Sequence, residues 1–456
     1  MRRKKNRSRP KNEQGVVITL VAVFMLGVIG AMAALSIDVV TLYTARSEAQ
    51  LAADAAALAG ARVLANSGMT SASNSTLGGN AVPLAMAVAT QVAASSTVGG
   101  RTLNPGASPC VAGQEICVNI VQTGVDFVAN PQVTVQVQRT DLPTFFARIW
   151  GTTQIKVAAS ATAEAYNPTS LAGTGGGPGL PIAPMCVKPW LLPNMDPSNP
   201  GNPIFVAASG ALAPTTTNLL GYITPAAPGS TRLRADCTTN CAGPAAPQTW
   251  RYYPGDPADF PPPSASSVAG SAGFANPNYQ LSIAGCVQTP IACNATVHVY
   301  VANADANLDT EAGTAVNTLT HATAAANSGD SVDATAGSPP GGNEPFQLLA
   351  GTENPIVQSG AMASGTQVVV SDSLVTVPVI DTAAPNWPGN YPAVQIIGFV
   401  QLFLNPTGVE APFSGHMHAQ VINLVGCGDG TGGVPAAPPA ILGNGSSAVA
   451  VRLIHP

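Results

Sequence analysis

Charge is what this chain has least of: Asp, Glu, Lys and Arg make up 9% of its 456 residues, against roughly 25% in a typical soluble domain. Helices that solvate themselves through charged faces therefore cannot be its main content. Positioned acids and bases are correspondingly few. No Gly-x-Ser-x-Gly and no P-loop occurs, and with so few acids and bases the expectation is a non-enzymatic chain with no cofactor and no small-molecule substrate. A formal net charge of −5, with no Lys/Arg cluster outside the first residues, argues against a nucleic-acid partner, because phosphate contacts need clustered cations. No Cys-x-x-Cys is present and no His sits near a Cys pair, so a thiolate metal centre is not expected. No repeat period recurs three times, which excludes solenoids and long heptad arrays. What remains is 46% hydrophobic residues, 46 glycines and 41 prolines. That composition reads as a mostly β, exported protein.

The few charges are unevenly placed. Seven of the 18 basic residues (Arg2, Arg3, Lys4, Lys5, Arg7, Arg9 and Lys11) precede the first acid, Glu13. From Gly15 to Ile37 there is then no charge at all. A helix over that stretch measures about 34 Å, enough for a hydrocarbon core of about 30 Å. The positive-inside rule keeps the basic tail cytosolic and sends everything after Asp38 outside, as a single-pass membrane protein. Ala31-Met32-Ala33-Ala34 offers a small-residue cleavage site of signal-peptide type. The apolar run is long for that role, however, and the helical pattern continues past the site, so a retained anchor is expected. The Arg2-Arg3 pair lacks the context of a twin-arginine signal.

Between Ser36 and Asn66 there is no proline, and no glycine before Gly60. Alanine, the best helix former, dominates. Leu35, Leu42, Ala49, Ala56 and Val63 recur every seven residues, with Ala45, Ala52 and Ala59 between them. The result is one small, apolar face, away from which Arg46, Glu48, Gln50, Asp54 and Arg62 are held. Such a seam admits a close neighbour. That neighbour can be the chain's own domain or other subunits, and the pattern leaves both open.

The Gly-led span, the Asp38 that closes it, Tyr43, Arg46, and the run Gln50-Leu51-Ala52-Ala53-Asp54-Ala55-Ala56-Ala57-Leu58-Ala59-Gly60 closely resemble the N-terminal segment of TadE/TadG-like assembly proteins of bacterial tight-adherence (Flp) pili. Val133–Val137, the Pro143-Thr144-Phe145-Phe146-Ala147-Arg148-Ile149 stretch and Ala158–Ala163 resemble more loosely the next segment of such proteins. The resemblance implies a membrane-anchored assembly factor or minor pseudopilin-like component. Its partners would be the lipid bilayer, the assembly platform and pilin-like subunits. It also raises prepilin-type processing between Gly15 and Val16, although Leu20 stands where such substrates place a glutamate. The Asp-x-Ser-x-Ser metal motif carried by some larger TadG-like members is absent.

The expected fold class is α+β. A basic tail (1–14), a transmembrane helix (15–37) and an amphipathic stalk helix (38–66) precede an α+β module (67–166) of strand, strand, helix and strand. Cys117–Gln122, Gln132–Gln138 and Gln154–Ala165 supply the strands, and Thr144–Trp150 the helix. A further helical patch is expected near Leu84–Ala94. A Gly/Pro linker (167–184) leads to a mainly-β, sandwich-like domain (185–456). Its strands are expected near Cys293–Val301, Gln367–Pro378, Ala393–Leu404 and Met417–Val425, separated by long loops at 254–278, 337–345 and 430–440. An extracytoplasmic chain with eight cysteines is expected to form disulfides. Three short-range pairs suggest themselves, Cys110–Cys117, Cys237–Cys241 and Cys286–Cys293, leaving Cys186–Cys427. Two other clusters invite a metal reading. His416 and His418 alternate on a strand, but no third ligand is near; Asp305-Ala306-Asn307-Leu308-Asp309-Thr310-Glu311 has calcium-loop oxygen spacing but lacks the required glycine and terminal glutamate. A hydrogen-bonded or exposed histidine pair and a solvated loop are the expectations. The alternative function is an anchored adhesin that recognises a surface glycan or protein through residues 185–456.

Overall fold

A computed structural model describes residues 13–66, 75–105, 113–121, 131–166, 183–197, 199, 201–207, 213, 219, 233–235, 250–287, 289–300, 308–323, 325–332, 348–368, 370–381, 393–405, 416–427 and 449–454. Helix α1 (Glu13–Ala65) is followed by α2 (Ser75–Ser95), β1 (Thr97–Val98), β2 (Arg101–Thr102), β3 (Ile116–Val121), β4 (Gln132–Pro143), a 3₁₀ turn (Ala147–Trp150) and β5 (Gln154–Tyr166). Next come β6 (Trp190–Pro193), β7 (Leu233–Ala235), β8 (Arg251–Pro254), α3 (Pro277–Ala284), β9 (Thr296–His298) and α4 (Leu308–Thr320). The chain ends with β10 (Ser331–Val332), β11 (Leu348–Leu349), α5 (Pro355–Gln358), β12 (Gln367–Val368), β13 (Leu374–Ile380), β14 (Ala393–Leu404), β15 (His416–Met417), β16 (Ala419–Gly426) and β17 (Ala450–Ile454). The class is α+β: a long apolar N-terminal helix, then a mainly-β region with several sheets. The basic tail before Glu13, the linker after Tyr166 and the loops at 337–345 and 430–440 lie outside the described residues.

By contacts the chain divides into two compact units, residues 1–56, 90–119 and 135–161, and residues 57–89, 120–134 and 162–456. Helix α1, β4 and β5 run through both. Anchor and stalk are one unbroken helix, about 80 Å long. Its two halves differ in what surrounds them. Val16 to Gly30 is exposed at every position. Beyond Asp38, by contrast, Ala45, Ala49, Ala52, Ala53, Ala56, Ala57, Ala61 and Leu64 are each no more than 3% exposed. From Ala45 onward the small-residue seam is thus covered by this chain itself and is not open to other subunits, whereas Leu35 at its start is 54% exposed. Where α1 meets α2, a Cβ built on Gly60 would lie 3.0 Å from Val133 Cγ1, 3.2 Å from Ala89 Cβ and 3.3 Å from the Ala85 carbonyl oxygen. A Cβ there would be tighter than ordinary contact, so any side chain would force its neighbours to give by a few tenths of an ångström. Helix α2 is longer than the Leu84–Ala94 patch and passes through Pro83.

Strands β17, β5, β4 and β3 form a four-stranded sheet in that order. Along β4, Val133, Val135, Val137, Arg139 and Leu142 are buried while their neighbours are more exposed, the period-two pattern of a half-buried strand. β17 pairs antiparallel with β5, bringing Arg452 opposite Glu164, with which it forms an ion pair. The final strand therefore adds to the sheet of β3–β5.

Within the second unit the strands form an eight-stranded mixed sheet of order β15-β7-β8-β6-β13-β14-β16, with β9 on the early part of β14. The β6–β13 and β7–β8 pairs are parallel. β13 and β16 are buried along their whole length, which accounts for the nearly continuous apolar run of β13, while β16 carries the buried polar residues Gln420 and Asn423. The region expected to be sandwich-like is layered in part by helices. Tyr279 and Ile283 of α3 and Ala312, Ala315 and Val316 of α4 share one apolar cluster with Val375, Val377 and Val379 of β13 and Val400, Leu402 and Leu404 of β14. Neither helix is legible in the pattern, since α3 spans only 8 residues and α4 carries four threonines in 13. The Phe205 ring packs against Gly398 of β14, where a Cβ would approach it to 2.3 Å.

Two expected disulfides are corrected. The bonds are Cys186–Cys286 and Cys293–Cys427, not Cys286–Cys293 and Cys186–Cys427. Backbone hydrogen bonds explain the exchange. Cys186 N donates to Val287 O at 2.8 Å and Ile291 N to Pro184 O at 3.0 Å. On the sheet, Asn294 N donates to Ile396 O and Cys427 N to Ile397 O, at 3.0 and 2.8 Å. Segment 286–294 is thereby held between two distant parts of the chain, with one cysteine facing each. Cys117 is also disulfide-bonded; Cys110, Cys237 and Cys241 lie outside the described residues. The two bridges close loops of 100 and 134 residues, for which the chain-entropy account assigns about 4–5 kcal/mol each. Peptide mapping under non-reducing conditions is expected to recover the 186–286 and 293–427 linkages, and no peptide joining Cys286 to Cys293.

Candidate functional site

The residue that ends the apolar span is also the one that makes the most concentrated set of contacts. Asp38 is 6% exposed, on the side of α1 that faces the connection between β4 and β5. Its Oδ1 accepts a hydrogen bond from Phe145 N at 2.9 Å. Its Oδ2 accepts from Phe146 N at 3.1 Å and from Ala147 N at 2.7 Å. These are the unpaired amides at the start of the short 3₁₀ turn, and a carboxylate is the group best suited to satisfy them. Burial pushes the Asp38 carboxyl up, but the three backbone donors outweigh it and hold the group below the usual carboxylate range. The turn is closed from its other side as well. Gly151 N donates to Arg148 O at 3.0 Å, Thr152 N to Ala147 O at 3.1 Å and Thr144 Oγ1 to Thr152 O at 2.5 Å, with Gly151 at φ 88°. Sequence reading singled out Asp38 as the boundary of the span; its partners, 107 to 109 residues away, carried no signal of their own.

The other stalk-motif residues divide into three roles. Gln50 donates through Nε2 to Asp54 Oδ1 at 2.8 Å and to Ser160 O at 3.3 Å, which ties α1 to β5. Ala53 is fully buried, Gly60 provides the close approach described above, and Leu58 is half-buried. Tyr43 and Arg46 face outward, Tyr43 at 77% exposure. Glu48 also reaches across, accepting from Gly99 N at 2.6 Å. Around it a charge network pins the β1–β2 hairpin. Buried Arg139 donates to Asp141 Oδ1 at 2.9 Å and to the carbonyls of Val98 and Gly99, and Arg101 bridges Glu115 and Asp141. Hydrogen bonds from Arg101 lead the effects that, against burial, hold Glu115 low, and those from Arg139 do the same for Asp141. Gly15 and Val16, the candidate processing pair, lie in the opening turns of α1, where Val16 is exposed.

The second unit holds a cleft of about 550 Å³ lined by Lys188, His321, Asp372, Ser371, Thr318 and the Cys186–Cys286 bridge, among others. Lys188 is buried and donates from Nζ to Ile283 O at 2.6 Å and Gly285 O at 2.7 Å, capping the C-terminus of α3. Burial pulls its ammonium down to about 7, against the raising effect of the Asp372 carboxylate. His321 Nε2 lies 3.1 Å from Asp372 Oδ2, and that hydrogen bond raises its pKa against the opposing effect of burial. Sequence reading did not find this cluster, because its members lie on four separate segments.

The weaker metal candidates come out differently. The strand breaks between β15 and β16 at His418, which is 1% exposed and whose carbonyl accepts from Asn405 N at 2.9 Å. The alternation expected of His416 and His418 on one strand is therefore interrupted. Residues 305–307 lie outside the described residues, and 308–311 form the first turn of α4 with Glu311 buried, not a solvated loop. Acids there suit the positive end of the helix. Among the described residues no group of three or more His, Cys, Asp or Glu is arranged to hold a metal ion.

Residues 15–63 match the family model Tad, of Flp pilus-assembly TadE/G-like proteins. No curated protein and no solved structure matches the chain. A Tad-type segment whose first half is an exposed apolar helix long enough to cross a bilayer supports a pilus-associated membrane protein, and among the described residues no other helix is long and apolar enough to serve as its anchor.

Two consequences of this geometry are measurable. The folded pKa of Asp38 lies below its ordinary 3.8, so its clamp contributes at every pH above that value and is lost as pH falls through the folded pKa. Hydrogen exchange at neutral pH is expected to find the amides of 145–147 protected, and faster in Asp38→Ala while α1 stays helical. For Lys188 the unfolded state binds more protons between about 7 and 10.5, so wild-type thermal stability is expected to rise across that window. Lys188→Met removes the rise, and at alkaline pH costs about 1–3 kcal/mol through the two carbonyls left without a donor.

Proposed function

We propose that this protein is a non-enzymatic assembly factor, or minor pseudopilin-like component, of a tight-adherence (Flp) pilus. It is held in the bacterial inner membrane with its N-terminus cytosolic and its bulk extracytoplasmic. The observation that carries the reading is the Tad-matching segment itself, in which an exposed apolar helix runs without a break into a helix whose alanine face is already buried. Because that face is taken, pilin-like subunits or the assembly platform would meet the outward face of α1, with Tyr43, Arg46, Ser47 and Leu51, or the sheets beyond it. The anchor is retained in this reading, without a cut between Gly15 and Val16.

A second reading is favoured by one feature, the cleft at Lys188, His321 and Asp372. It would make the second unit an adhesin-like module taking a polar surface ligand such as a glycan.

Deletion of the gene in its native bacterium separates the two. Loss of surface pili, restored by the full chain, is expected for an assembly role. Normal pili with lost attachment would instead sink it in favour of the adhesin. Intact mass of the membrane-extracted protein is expected to retain the basic tail; a mature chain beginning at Val16 would identify a processed, pseudopilin-like subunit.

A further inference from the structure

We propose that the turn Thr144–Trp150 is a second membrane contact, seated in the phospholipid headgroup layer beside the anchor; this rests on the membrane-anchor reading above. The contacts of Asp38 set the height. Phe145 N is 2.9 Å from Asp38 Oδ1, and Asp38 directly follows Ile37, the last residue of the uncharged span. The turn therefore lies at the level where the apolar helix leaves the hydrocarbon. Phe145 is 63% exposed there, an aromatic ring with nothing of this chain over most of it. Leu35, Ile37, Val39, Val40 and Tyr43, on the neighbouring turns of α1, are each at least 48% exposed. In water such a belt of large apolar side chains would be a liability. In the interfacial layer, about 5–7 Å deep on each side of the hydrocarbon core, it is what a membrane protein presents.

The spacing fits that depth. Tyr43 is five residues beyond Asp38, about 7.5 Å along the axis, and marks the outer limit of the belt. Arg148, next to the Ala147 whose amide bonds Asp38, is exposed at this level, where cations meet anionic headgroups. Leu51 is equally apolar and 67% exposed, but lies 13 residues past Asp38, about 20 Å out and beyond the layer. A contact to one side of a single helix also has a mechanical effect. Two points of attachment fix the rotation and tilt of α1, which one helix alone leaves free.

The test uses the full chain in vesicles of phosphatidylethanolamine and phosphatidylglycerol. The photoreactive residue p-benzoylphenylalanine replaces Leu26, Phe145 or Leu51 one at a time, all exposed positions that leave packing undisturbed. After illumination, intact mass spectrometry is expected to find phospholipid adducts at 26 and 145 and none at 51. Adducts at 26 without any at 145, or a protein–protein adduct at 145, would overturn the docking of the turn while leaving the anchor intact. Lipid adducts at 51 as abundant as at 145 would overturn it too, since the contact would not be confined to the belt. Absence of adducts at 26 would bring down the anchor reading itself, and this inference with it.

Discussion

A carboxylate seated on three backbone amides joins the two kinds of structure in this protein. Asp38 cannot enter hydrocarbon without a large cost, so it ends the apolar span. The amides of Phe145, Phe146 and Ala147, left over at the start of a short turn, need an acceptor. One side chain meets both demands. Its consequence is that the β4–β5 connection is set at a defined height on the helix. Replacing the carboxylate by any apolar residue would lengthen the span and free the turn together.

Beyond that point the helix is organised by the absence of side chains rather than by their chemistry. A face of alanines and one glycine, each almost fully buried, lets α2 and β4 come so near Gly60 that a Cβ there would lie 3.0–3.3 Å from Val133, Ala89 and Ala85. At its C-terminal end the helix is met by Asn423 of β16, which donates to Ala65 O at 2.5 Å and also bonds Gln401. Seam and cap both use up surface that a subunit interface would need.

The second unit has a different source of order. Its sheet contains a parallel pair, β6 with β13, between strands far apart in sequence, and its bridges close loops of 100 and 134 residues. Loop closure on that scale is entropically unfavourable. Long apolar strands such as β13 and β14, buried on both faces, offset it through the area they remove from water. The same long-range pairing gathers Lys188, His321 and Asp372 around one cleft.

Much of the N-terminal half was legible from residues alone. A charge-free run of 23 residues, an unbroken alanine stretch and period-two strands are local patterns, each dictated by the chain's immediate chemistry. The strand limits at Gln132, Gln154 and Ala393 and the α+β class came from them. What local pattern could not determine was pairing between distant segments. Cys286 and Cys293 are seven residues apart, yet a backbone ladder turns each toward a different partner. Glu311 sits in an oxygen-rich string, yet the string opens a buried helix. Asp38 was marked by its place at the end of the span, while its partners became visible only when β4 and β5 brought the turn alongside. Sequence by itself determined the charge-free apolar span, the long alanine helix and strands such as β4, β5 and β14, because those patterns depend on neighbours in the chain. Tertiary structure decided which cysteines bond, which helix face remains available and which residues share a cleft, because those depend on burial and register between segments a hundred residues apart.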